Sequence, residues 1–360
     1  MSRPTIKQIA EMAKVSIATV DRVLHKRGKV KPETRQKIER IIKELDYQPN
    51  IFARNLVVGP SLKLAVLMPR PEQDGGYWKL PARGVEQASN NLKPFQVKVE
   101  RFEYDKFSAE SFIKVSNKVL ENQYNGLLIA PIQIKAAKDF IETLPKKVPH
   151  VYFDSEIPNT RCLSTIHQNS FYGGRVAAKL FDWVIQDPST IAMVRVLPAT
   201  YHINERIRGF CDYFKSREDL NLIEVDVPEN SKKIQVHEIY ESILSKNRNL
   251  KGVFVTGSHT YEMADCISTV PVNRKIFLIG FDLVPANIEF MRSNVIDFLI
   301  SQSPELQGFT GIYLLYRYLF FKEKVDKEIT LPIEIITKEN LDFYLNRQGL
   351  SPDYQSSPIV

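Results

Sequence analysis

From Leu62 onward the chain repeats one rhythm, a short run rich in Val, Ile and Leu followed by a stretch with apolar residues at helical spacing. The order is KLAVLMP, a helix over 77 to 93, VKVERFEY, a helix over 108 to 123, GLLIAPI, a helix over 134 to 144, and HVYFDS. Such alternation predicts a parallel sheet covered by helices on both faces. After CLSTIHQ and a helix over about 170 to 186 the rhythm restarts with TIAMVRVL, LIEVDVP, KGVFVTG, KIFLIGFD and IDFLISQ, so two α/β lobes are expected. A helix over 304 to 322 and a strand LPIEIIT complete the count, and the chain must cross between lobes more than once. The composition, 43% hydrophobic and 25% charged over 360 residues, supplies the cores and excludes disordered, collagenous and disulfide-scaffold classes.

Residues 1 to 60 do not share this rhythm. They carry 13 Lys and Arg against 6 Asp and Glu, the same net +7 as the whole chain, so residues 61 to 360 sum to zero. A compact basic head on a neutral body is the charge footprint of a nucleic-acid-binding module, although a solvated basic face would count the same. Thr5 with Gln8 forms a capping-box pattern ahead of Ile6, Ile9, Ala10 and Ala13 at helical spacing. Ser16 can cap a second helix with Val20, Val23 and Leu24 on one face, separated from the first only by Lys14-Val15. Pro32 suits the first turn of a third helix that turns Ile38, Ile41, Ile42 and Leu45 inward. Three short helices with a tight turn between two of them make a helix-turn-helix unit.

These residues, TIKQIAEMAKVSIATVDRVLHKRGKVKPETRQKIERIIKELDYQPNIFARNL, resemble the DNA-binding headpiece of the LacI/GalR transcription regulators without a gap through residue 56. The resemblance implies that the helix from Ser16 to His25 enters the major groove of double-stranded DNA, with Ile17, Ala18 and Arg22 meeting base edges. Arg22 would pair with guanine, worth about 1 to 3 kcal/mol of discrimination, and Ile17 and Ala18 would touch thymine methyls. Thr5, Ser16, Thr19, Lys26 and Lys29 would contact the backbone and set register. Residues 50 to 57 resemble the family's hinge helix, so Asn50, Ala53, Arg54 and Leu56 would dock in the minor groove with Leu56 as the apolar wedge. Lys14 stands where the family has Gly, which costs about 1 kcal/mol if that turn residue has positive φ. Asp21 stands where Ser is usual.

The body from about 62 to 346 resembles the type I periplasmic sugar-binding fold through YWKLPARGVEQA, NGLLIAPI, VYFDSEIP, ERIRGF, FLIGFD and ISQSPELQG. Ligands of such folds sit between lobes at the carboxyl ends of strands. The resemblance places Tyr77, Trp78, Asp154, Arg206, Ser258, Asp282 and Gln302 around a small sugar-like effector, since carboxylates and guanidinium hydrogen-bond hydroxyls while an aromatic face covers C–H groups. Read without it, Asp154 and Asp282 cap turns, Arg206 pairs with Glu205 or Asp212, and Trp78 is core. Ser258-His259 and Gln168 depart from the family's usual Asn-Asp and Asp, pointing to a different hydroxyl pattern or a different ligand; His259 is then a ligand donor or merely a helix-start histidine.

The expected organisation is an all-α headpiece at 1 to 49, a hinge helix and linker at 50 to 60, and a two-lobed effector-binding and dimerisation body at 61 to 346. Lobe 1 spans about 61 to 168 and 303 to 325, lobe 2 about 169 to 302 and 326 to 346, and 347 to 360 is a disordered tail. No apolar run approaches the ~20 residues of a membrane helix and the start lacks a signal peptide's apolar core, so a cytoplasmic protein with no membrane partner is expected. Cys162, Cys211 and Cys266 have no CxxC spacing and read as core residues, with no metal or cofactor called for. No GxSxG, GxGxxG, HExxH or phosphate-binding glycine loop occurs, so the chain is read as a homodimeric, effector-controlled regulator of a palindromic operator, more readily a repressor than an activator, and not an enzyme.

Overall fold

A computed structural model describes residues 6 to 24, 30 to 45, 61 to 197, 199 to 228, 231 to 271 and 274 to 346. The chain divides into two compact units, Met1–Pro60 and Ser61–Val360. In the first, helices α1 (Ile6–Ala13), α2 (Ile17–Leu24) and α3 (Pro32–Glu44) bury Ile9, Ala10, Ala13, Val20, Val23, Ile38 and Ile41 together. Ser16 caps α2, its Oγ accepting from the Thr19 N–H at 3.2 Å. Lys14, in the turn between α1 and α2, has φ 57°, so the strain expected of a side chain at a glycine position is present.

The second unit holds two six-stranded sheets. Strands β1 (Leu62–Pro69), β2 (Val97–Tyr104), β3 (Gly126–Ile129), β4 (His150–Phe153), β5 (Ser164–Gln168) and β11 (Glu328–Leu331) form the first, in the order β11-β5-β4-β3-β1-β2 and all parallel. The second contains β6 (Ser189–Val196), β7 (Leu220–Val227), β8 (Leu250–Val255), β9 (Phe277–Phe281), β10 (Phe298–Ser301) and β12 (Glu334–Ile336), ordered β12-β10-β9-β8-β6-β7, with β12 antiparallel. Successive side chains of a strand face opposite sides, so β1 sends Leu64, Val66 and Met68 into one core and Ala65 and Leu67 into another. Both faces of the central strands are buried, which is why β1, β8 and β9 read as nearly continuous apolar runs, whereas the edge strands β2 and β7 carry exposed polar residues.

The chain crosses between lobes three times: after Gln168, after Ser301 and after Leu331. The last crossing corrects two expectations. LPIEIIT is not one strand: Leu331 ends a strand of the first sheet, and Glu334–Ile336 pairs with β10 of the second. Pro332 interrupts it because it has no N–H for a ladder. Residues 326 to 331 therefore belong to lobe 1, and lobe 2 regains the chain only after Pro332. Cys266 is buried and Cys162 and Cys211 are half-buried, all three as free thiols. No helix among the described residues is long and apolar enough to cross a membrane.

Candidate functional site: a polar cleft and an exposed helix face

The parallel strands of both lobes end toward one cleft of about 630 Å³, its open mouth included. All seven sequence-predicted effector residues line it: Tyr77, Trp78, Asp154, Arg206, Ser258, Asp282 and Gln302. Asp154 follows β4 and Asp282 follows β9, both in left-handed backbone with φ 66° and 68°. The Tyr77 hydroxyl donates to Asp154 Oδ1 at 2.5 Å, and Gln307 Oε1 accepts from the Asp154 N–H at 2.7 Å. Gln302 Nε2 donates to both carboxylate oxygens of Asp282 at 3.0 and 3.1 Å, and its Oε1 accepts from the Arg206 guanidinium at 3.0 Å. That guanidinium lies 3.6 Å from the centre of the Phe281 ring and donates to the Thr256 carbonyl at 2.7 Å. The alternative partners of Arg206 are taken by others: Glu205 pairs with Arg208, and Asp212 with Arg175.

Burial sets the electrostatics. It pushes Asp282 up to about 7 against the pull of Arg206 and Gln302, and Asp154 up to about 6 against Tyr77 and Arg206. Asp74 is also desolvated, yet contact with Lys106, the nearby His259 and the Trp78 N–H hold it below the usual carboxylate range. Burial lowers His202 well below its ordinary value, helped by Arg206 and Lys106, and lowers His259 as well.

Trp78 is both core and cleft. It is 2% exposed and packs edge-on against Phe153, while its Nε1 donates to Asp74 Oδ2 at 2.8 Å. Ser258 acts across the lobes, its Oγ donating to the Asp74 carbonyl at 3.0 Å. His259 lies 3.8 Å from Asp74 Oδ1. Gln168, in contrast, does not line the cleft. Its amide donates to the carbonyls of Ser301 and Pro332 at 2.8 and 3.2 Å, so this departure from the family pattern stitches the crossovers together.

Sequence reasoning missed Asp74, Lys106, Thr200, His202 and Thr256, which also line the cleft. The available signal was position alone, since each follows the carboxyl end of a strand. Among the described residues no group of three or more His, Cys, Asp or Glu side chains could hold a metal ion.

In the N-terminal unit, Ile17, Ala18 and Arg22 are exposed on α2, Ile17 at 53%, opposite the buried Val20 and Val23. Ser16 and Thr19 stand at the start of that helix, 3.0 Å apart through their hydroxyls. Thr5, Lys26, Lys29, Asn50, Ala53, Arg54, Leu56 and the tail 347 to 360 lie outside the described residues.

Comparison with known proteins agrees with both units. Residues 5–50 match the family model of bacterial regulatory proteins, lacI family, and residues 64–323 match that of the periplasmic binding protein domain. The Ribose operon repressor of Lactococcus lactis is 24% identical over 352 residues, covering 94% of this chain and 98% of that protein. Catabolite control protein A of Staphylococcus epidermidis is 33% identical over 124 residues, 34% of this chain and 36% of that one. The crystal structure of a Bacteroides fragilis protein described as a LacI transcriptional regulator superposes with a TM-score of 0.73 at 26% identity, covering 79% of this chain and all of that one. The chain belongs to the lacI family of bacterial regulatory proteins, non-enzymatic DNA-binding transcription regulators, and carries its helix-turn-helix ahead of a periplasmic binding protein domain.

Proposed function

We propose that this protein is a homodimeric, sugar-responsive transcriptional repressor of the cytoplasm, with a headpiece at 1 to 49 and a hinge at 50 to 60. Its two helix-turn-helix units read a palindromic operator, and its lobes close on a small polyhydroxylated effector. The observation that carries the reading is the convergence of Asp154, Arg206, Asp282 and Gln302, from four separated segments, in one cleft at the strand ends. Two carboxylates and a guanidinium match vicinal hydroxyls, which donate to the first and accept from the second. The likeness to a repressor named for a ribose operon supports the same class of effector.

On the DNA side, the exposed trio Ile17, Ala18 and Arg22 is the base-reading surface, while Ser16, Thr19, Thr5, Lys26 and Lys29 hold phosphates. Asn50, Ala53, Arg54 and Leu56 form the hinge that enters the minor groove. Effector binding biases the lobes toward closure and thereby shifts operator affinity, a coupling that is reciprocal by linkage. The test is operator binding by fluorescence anisotropy, on sequences selected from a random oligonucleotide pool, with and without effector. Arg22→Ala is expected to relax base preference, whereas Lys29→Ala lowers affinity evenly over all sequences and flattens the salt dependence. Operator affinity that ignores saturating effector would refute the allosteric reading.

A further inference from the structure

The charge arithmetic of the cleft narrows the effector further, and this step rests on the reading just given. Three carboxylates, Asp74, Asp154 and Asp282, line the cleft against two permanent cations, Lys106 and Arg206. Neither cation is available to a second anion. The Lys106 ammonium is in direct contact with Asp74 Oδ1, with both side chains largely buried at 16% and 12% exposure. Arg206 is 1% exposed, stacks on Phe281, gives hydrogen bonds to Thr256 and Gln302, and has Asp282 and Asp154 as the charges acting on it. Burial disfavours protonation of the two imidazoles, His202 and His259, and Arg206 and Lys106 add to this, while Asp74 opposes it at His259.

A phosphate group carries about −1.5 to −2 charges at neutral pH. In this cleft it would exchange water for a site whose carboxylates already outnumber its cations, and an unpaired buried charge is among the costliest arrangements a protein can make. An uncharged polyol meets the opposite situation. Its hydroxyls donate to Asp154 and Asp282 without bringing a further charge into the cleft.

We propose that the cleft selects an uncharged polyhydroxylated effector and rejects the corresponding phosphate ester, because the Asp74–Lys106 pair cancels the one cation that Arg206's neighbours leave over. The ion pair is thus a specificity determinant, reached from two loops that no single motif joins.

The experiment is isothermal titration calorimetry of the full chain with D-ribose, D-arabinose, D-glucose, D-galactose, ribitol and sorbitol, each beside its terminal phosphate ester at pH 8. The expected result is that the best neutral ligand binds at least 100-fold more tightly than its ester. An ester that binds as tightly as its parent, or more so, overturns this inference and leaves the sugar-responsive reading standing. Failure of every neutral compound and every ester to bind overturns both. Asp74→Asn, which releases the charge of Lys106, is expected to narrow the ratio at least tenfold, while Asp74→Glu preserves it. An unchanged ratio in a folded Asp74→Asn protein would remove the ion pair from the account, and the wild-type ratio decides the charge class even if that variant does not fold.

Discussion

The two lobes are built alike and charged differently. Numbered within each sheet, the first five strands of lobe 1 and of lobe 2 are parallel and follow the same order, 2-1-3-4-5, while the sixth is parallel in lobe 1 and antiparallel in lobe 2. In each, the fourth strand ends in a left-handed aspartate whose N–H donates to the next strand, Asp154 to the Ile166 carbonyl and Asp282 to that of Ile300. Each lobe also packs two helices so closely that glycine is required. A Cβ on Gly308 would fall 2.2 Å from the Pro81 carbonyl oxygen, and one on Gly174 would fall 1.9 Å from that of Arg206. By this contact Pro81 of lobe 1 and Arg206 of lobe 2 are equivalent positions. Backbone geometry is therefore repeated, while the side chain that reaches the cleft is not. Lobe 1 supplies Asp154, a tyrosine and a self-neutralised ion pair, and lobe 2 supplies the guanidinium together with Asp282.

If that asymmetry carries the function, Arg206→Ala has the largest effect. It leaves Asp154 and Asp282 buried without the cation that acts on both, and an uncompensated buried charge costs about 3 to 5 kcal/mol. Thermal unfolding is expected to fall by roughly 10 °C at pH 8, and by less at pH 5, where both carboxyls take up protons. A loss independent of pH would show that packing on Phe281, and not charge, is what Arg206 contributes. Next comes the glycine pair. Gly308→Ala and Gly174→Ala are each expected to destabilise by about 1 to 3 kcal/mol, but only Gly174→Ala displaces Arg206 and weakens effector binding in calorimetry. Equal affinities in the two variants would break the equivalence drawn here.

A smaller effect is expected from pH. Effector hydroxyls donate best to ionised carboxylates, and these sit near 6 for Asp154 and near 7 for Asp282. Binding therefore favours the deprotonated pair and releases protons, so affinity falls by about tenfold as pH drops from 8 to 5.5, about 1.4 kcal/mol. Calorimetry in buffers of different ionisation enthalpy measures that release, and proton uptake would invert the assignment. The smallest change is Ser258→Ala, which removes the cross-lobe hydrogen bond to the Asp74 carbonyl, worth about 0.5 to 1.5 kcal/mol. Effector affinity that does not drop would mean that Ser258 does not hold the lobes together.

Much of the architecture was legible because its signals are local. Short runs rich in Val, Ile and Leu marked the strands of both sheets except β11, and Ser16, Pro32 and the spacing of Ile9, Val20 and Ile38 marked the N-terminal helices. Asp154 and Asp282 were reached through the family resemblance, and their place at strand ends agreed with it. LPIEIIT misled because a proline between two β-rich triplets does not say that they belong to different sheets. Gln168 misled for a related reason, as a polar residue at a strand end faces either the cleft or the crossover.

By itself, then, the amino-acid sequence determined a basic three-helix unit, two rounds of β-α alternation and the aspartates that end the fourth strands, since hydrophobic period, caps and turn residues act over a few neighbours. Only the tertiary structure decided which strand ends share a cleft, that Lys106 spends its charge on Asp74 across 32 residues, and that Arg206 stands where lobe 1 has Pro81. Those outcomes follow from strand order and helix packing, which bring distant loops together, and loops carry no periodicity from which their partners could be read.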